Sequence, residues 1–212
     1  MNDDYDSQLM YASKMLFEGS MAVATKLPGV SELKNEVLWT LQGEVLWTYT
    51  GYVIRELARL LGTDNRDAVE EEVLPVVIQV MLERIFNWQE GSSTQQIAQH
   101  ENFLYWFDEA EIGAHLTTGF APAEDALAKM AETGEIPGDT YVTRLCRRVG
   151  TLTAKDGRSE LIQALARETA QTYESMGYED LTASLAQARQ ALSKTSDDGA
   201  ASEAEPDTPS EP

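Results

Sequence analysis

The stretch Glu36-Val37-Leu38-Trp39-Thr40-Leu41-Gln42-Gly43-Glu44-Val45-Leu46-Trp47-Thr48-Tyr49-Thr50-Gly51-Tyr52-Val53-Ile54 admits two opposite readings. Val, Trp, Thr, Tyr and Ile are strand formers, and Gln42-Gly43 could turn a hairpin that pairs Leu41 with Glu44. The flanks decide against it. Ser31-Glu32-Leu33-Lys34-Asn35-Glu36 before the stretch and Arg55-Glu56-Leu57-Ala58-Arg59-Leu60-Leu61 after it are strongly helical. We therefore read one helix from a Ser31 cap to Leu61, with Gly62 just past its end, ~46 Å long at about 1.5 Å per residue. Within it Glu36-Val37-Leu38-Trp39-Thr40 recurs as Glu44-Val45-Leu46-Trp47-Thr48, and Gly43 and Gly51 close the two copies. A shift of eight residues is about 800° of helix, so the copies sit ~80° apart round the axis and the apolar surface becomes broad. A helix of that kind belongs at the centre of a fold.

Working outward, the other segments also read as helices. Asp6 or Ser7 caps a first helix that Pro28-Gly29 stops. A third follows Thr63-Asp64-Asn65 and runs to about Glu90 through Pro75. Ser93 and Gln96 have capping-box spacing for a helix to about Thr117, and Pro122 suits the first turn of the next, ending at Gly134. After Ile136-Pro137-Gly138-Asp139 come helices over 140–149, 159–176 with a stop at Gly177, and 179–194. The expectation is an all-α multi-helix bundle of about seven helices round one long central helix. Residues 1–139 form its acidic body, and 140–194 a locally basic segment packed on that body. Residues 195–212 hold no large apolar side chain and read as a disordered acidic tail.

Composition narrows the class further. With 212 residues, 42% of them hydrophobic, the chain can bury a sizeable core. With 16 Lys+Arg against 36 Asp+Glu the net charge is −20, which repels nucleic-acid phosphates and anionic membranes. The plainest meaning of such acidity is solubility or hydration in high salt. The charge is uneven: 1–139 carries −16, 140–194 carries +2 and the tail −6. The lone Cys146 excludes an internal disulfide and multi-thiolate zinc sites, and reads as a small buried apolar residue. Met1-Asn2-Asp3-Asp4 is the reverse of a basic secretory n-region, so a cytoplasmic location is expected. Residues 37–54 carry only Glu44 as a charge, but too much Thr, Gln and Gly for a membrane span to be favoured.

Glycine-rich phosphate loops, Gly-x-Ser-x-Gly and His-Glu-x-x-His are all missing. Both histidines lie between 97 and 117. There Glu111 and His115, four apart, could chelate a cation with Asp108 as a third donor. Glu36 or Glu44 would supply facing carboxylates, as in bundle metal sites, for a divalent ion activating water or binding oxygen species. A hydrogen-bonded surface pair is the more frequent meaning of that spacing. Trp106, on the side of its helix opposite Phe103 and Phe107, and Trp88 are candidate anchors for a partner or a second copy of the chain, with core packing as the plainer alternative. Arg144, Arg147 and Arg148 share one helix face and could dock an acidic group, or simply face solvent. Gly43, Gly51 and Gly113 suggest places where helices approach closely.

The leading expectation is a non-enzymatic interaction protein (adaptor, chaperone, inhibitor or assembly factor) with a basic protein partner or a homo-oligomeric state and no cofactor. The runner-up is a metal-dependent bundle oxidoreductase or hydrolase, and the third a membrane-associated helical protein.

Overall fold

A computed structural model describes residues 3–32, 35–62, 66–86, 140–152 and 158–202, with the short pieces 128–129 and 132–133. Among the described residues there are six α-helices and no strand: α1 (Asp3–Lys26), α2 (Asn35–Leu61), α3 (Arg66–Phe86), α4 (Tyr141–Leu152), α5 (Arg158–Ser175) and α6 (Tyr178–Ser202). The two helices expected between 93 and 134 lie almost wholly outside the described residues. The hairpin alternative for residues 36–54 is gone, because that whole stretch is helical.

Every residue from Leu41 to Trp47 is buried, followed by Tyr49, Thr50, Gly51, Val53 and Ile54. A helix apolar all round can only be satisfied by neighbours on all sides. α2 accordingly packs against α1, α3, α4 and α6. Side chains such as Leu46, Ile54 and Leu57 are fully enclosed, each contributing roughly 2 kcal/mol by leaving water. The central position is shared, however: α1 also touches four helices, α2, α3, α5 and α6. One hydrophobic core draws on all six, from Leu16 and Val23 through Ile78, Leu145 and Leu165 to Leu185.

The helix ends follow the glycines. Gly29, Gly62 and Gly177 all take a positive φ, at 69°, 64° and 65°, and none has a neighbour where a side chain would start. Gly62 N donates to Arg59 O at 3.1 Å and Gly177 N to Glu174 O at 3.1 Å, which closes α2 and α5. The Ser31 cap is corrected: Val30–Glu32 form a single 3-10 turn, with Val30 N bonded to Leu27 O at 3.3 Å, and α2 begins only at Asn35. Its 27 residues span ~40 Å. α3 passes through Pro75 with the ring on the exposed side, where water can take over the backbone bond that proline removes. α6 continues to Ser202, eight residues past the expected end, and 203–212 lie outside the described residues. No described helix is long and apolar enough to cross a membrane, so the span considered for 37–54 is not one.

Candidate interaction surfaces

The N-terminus of α4 is built by two threonines. Thr143 N donates to Thr140 Oγ1 at 3.2 Å and Thr140 N to Thr143 Oγ1 at 2.8 Å, a capping box with threonine in the place of the usual Glu or Gln. From there Tyr141, Val142, Leu145, Cys146 and Val149 form the buried stripe. That stripe turns Arg144, half-buried, and Arg147, exposed, away from the core. Arg148 is in the same helix, but its side chain lies outside the described residues. The structure thus puts Arg144 and Arg147 on the outer side of α4. Cys146 Sγ faces Ile162 O at 3.6 Å, and burial pushes its thiol up to about 12.

The metal-site candidates are not brought together by what is described. Asp108, Glu111 and His115 lie outside the described residues, as do the anchors Trp88 and Trp106 and the helical glycine Gly113. Glu36 opens α2 with its side chain outside them too. Glu44 sits in α2 with 6% of its surface exposed. Among the described residues no three His, Cys, Asp or Glu side chains are grouped to hold a metal ion. Among the described residues the exposed large apolar side chains are Tyr11, Met21 and Trp39. Trp39 and Trp47 occupy equivalent places in the internal repeat, yet the first is 47% exposed and the second 1%, as the ~80° offset between copies requires.

Two junctions missed by the sequence reading hold α6. At its start the Tyr178 hydroxyl reaches Met15 O in α1 at 2.8 Å, crossing directly over Gly19. A side chain at Gly19 would overlap that hydroxyl. The Tyr178 ring centre is 5.0 Å from that of Tyr49 and 5.6 Å from that of Tyr173; Tyr173 meets Tyr52 edge-to-face at 5.0 Å, and Tyr52 meets Tyr141 in the same way at 5.5 Å. Tyr49 Oη donates to Thr169 O at 2.8 Å. Five tyrosines from four helices therefore form one continuous seam. Burial raises the pKa of Tyr178, Tyr49, Tyr173 and Tyr52 alike, because a phenolate there would lose its hydration.

The second junction is ionic. Arg189 of α6 donates from Nη2 to Glu72 Oε1 at 2.6 Å and from Nε to Oε2 at 3.0 Å, a forked pair with α3. Tyr5 Oη donates to the same Oε2 at 3.0 Å, and the guanidinium lies 5.9 Å from the Tyr5 ring centre, so α1 joins the pair. Burial, then the Glu72 charge, raises the Tyr5 pKa. Only Gly19 carried a signal for any of this. It is a glycine inside a helix, the same sign that pointed to Gly43, whose Cβ position meets nothing nearer than the Trp47 ring at 3.9 Å. The close approach is at Gly19 rather than Gly43.

No protein-family model, no curated protein and no solved structure matches the chain. A functional reading must come from its own chemistry.

Proposed function

We propose that the chain is a non-enzymatic, acidic helical interaction protein, in the class of adaptors, chaperones, inhibitors or assembly factors, that binds a basic protein partner. The observation that carries this reading is the net charge of −20 on an all-helical scaffold. Every acid whose burial is described, Glu44 excepted, is at least partly exposed. Residues 87–127 add seven acids and neither Lys nor Arg. A surface of this sign attracts a basic partner over a Debye length and accelerates encounter, while paired charges at the contact set the register.

The test starts by retaining partners on the full chain at low salt. The complex with the purified partner is then measured as salt rises. We expect a partner with net positive charge and a Kd that climbs steeply with ionic strength. Glu111→Ala combined with His115→Ala should leave the affinity unchanged. Affinity indifferent to salt would overturn the reading. So would one or two equivalents of metal per chain that disappear in the double variant, and that outcome would move the protein to the metal-enzyme class.

A further inference from the structure

We infer that the cleft between the end of α2, the start of α3 and the outer half of α6 binds an aliphatic monocarboxylate. The cleft has a volume of about 440 Å³, within the ordinary range for small-ligand sites. Its floor is apolar: Leu61 closes α2 there, and Ala68 and Val69 belong to the first turns of α3. Its rim is polar and comes mainly from two successive turns of α6, where Arg189 and Ser193 are four apart. Gln190 ties this part of α6 to the end of α2 by a bond from Nε2 to Leu60 O at 3.3 Å, which holds the two walls at a fixed spacing.

The sign of the ligand follows from how the rim charges are already used. Glu72 accepts from Tyr5 Oη and from Nε and Nη2 of Arg189, so its part-buried carboxylate is already paired with a cation of the chain itself. Arg189 Nη1 carries two hydrogens and donates to Ser193 Oγ at 3.3 Å, which leaves the guanidinium oriented and still able to donate once more. Lys194, exposed and next in sequence to Ser193, adds a second cation. Among the described residues that line the cleft, Arg189 and Lys194 stand against Glu72 alone, one more positive than negative charge, in a chain whose net charge is −20. An apolar floor under a rim of Arg189, Ser193 and Lys194 suits an alkyl group with a carboxylate at its end. Two sources present that chemistry: a free medium-chain acid, and the C-terminus of a polypeptide ending in an aliphatic residue.

The inference rests on the cleft and not on the basic-partner reading, and the two can fail separately because they concern ligands of opposite charge. Calorimetry on the full chain would compare hexanoate, N-acetyl-alanyl-leucine and the amide of the same dipeptide. Saturable one-site binding of an acid is expected, with the amide weaker by ~5-fold or more (about 1 kcal/mol). Tighter hexanoate assigns the site to free acids, and a tighter dipeptide acid assigns it to chain termini. Lys194→Gln, at an exposed position, should weaken the acid by ~5-fold without moving the melting temperature. Ala68→Phe, also at an exposed position, should block the floor and weaken all three ligands. Absence of saturable binding by either acid, equal affinity for acid and amide, or indifference to both substitutions would overturn the inference.

Discussion

α6 is fastened to the bundle at two places that work by opposite physics. At Tyr178 the attachment is a matter of shape: a ring with no surface exposed slides its hydroxyl over a glycine to an α1 carbonyl, inside a seam of other rings. At Arg189 it is a matter of charge, between side chains that keep 31% and 34% of their surface in solvent. The first should be insensitive to salt and intolerant of volume. The second should tolerate changes in volume and weaken as ions screen it. The difference separates two ways of holding one helix: an enclosed contact that volume specifies, and an open one that charge specifies.

The largest break in this comparison should come from Gly19→Ala. The added methyl occupies the place of the Tyr178 hydroxyl, with Thr172 behind it, so either the ring withdraws from Met15 O or α1 and α6 separate. Overpacking together with the lost bond should destabilise the fold by about 3 kcal/mol, with a fall of ~6–12 °C in melting temperature. An alanine in a helix interior would otherwise raise stability by up to about 1 kcal/mol, so the sign alone is diagnostic. Urea denaturation of the variant beside Gly43→Ala sharpens the point. The second substitution meets only the Trp47 ring at ordinary contact distance and should be neutral or stabilising.

Alkali should separate the two attachments next. An unfolded tyrosine titrates near 10, and burial raises Tyr178 and Tyr49 above that. A group that holds its proton more tightly when folded contributes stability that is complete below the unfolded pKa. That contribution is lost as pH climbs through the folded value. The protein should therefore weaken from about pH 10 upward, and each buried tyrosine should steepen the loss by about 1.4 kcal/mol per pH unit. Tyr178→Phe is expected to cost about 1 kcal/mol at neutral pH by removing the bond to Met15 O, yet to flatten the alkaline fall by one proton. Equal slopes in the two proteins would place Tyr178 in contact with water rather than in the seam.

Most of the scaffold was legible in the sequence because it is written in local signals. The broad apolar surface of residues 36–54, the stops at Gly29, Gly62 and Gly177, and the buried Cys146 all depend on residues close together in the chain. The tyrosine seam and the Glu72–Arg189 pair do not. Tyr178 and Met15 are 163 positions apart, and Arg189 and Glu72 are 117 apart. Their residue types are common on any helix. Gly19 was the one local trace of a long-range contact. It looked no different from Gly43, because a glycine in a helix reports a close neighbour only when a neighbour is there. Ser31 failed as a cap for a related reason: the positive φ at Gly29 sends the chain into a 3-10 turn before α2 can start. The reading of Asp108, Glu111 and His115 as metal ligands concerns positions outside the described residues, so elemental analysis is its direct measurement.

The smallest effect should come from the ionic attachment, and its dependence on salt matters more than its size. Arg189→Gln leaves Glu72 with the Tyr5 hydroxyl as its remaining partner at this junction, in a setting open enough for water to solvate the carboxylate. The loss should be about 0.5–1 kcal/mol at low ionic strength and should shrink toward zero as salt rises into the molar range. Glu72→Gln should cost a similar amount, and the double replacement little more than either alone, because the second change removes a partner already missing. Screening acts on the rest of the molecule in the opposite direction: at −20 the folded chain repels itself, and salt relieves that repulsion. Wild-type stability should therefore rise with salt while the gap to the Arg189→Gln variant closes. A gap that persists unchanged in concentrated salt would mean that the Arg189 stem packs against the Tyr5 ring as tightly as Tyr178 packs over Gly19, and both ends of α6 would then be held by shape.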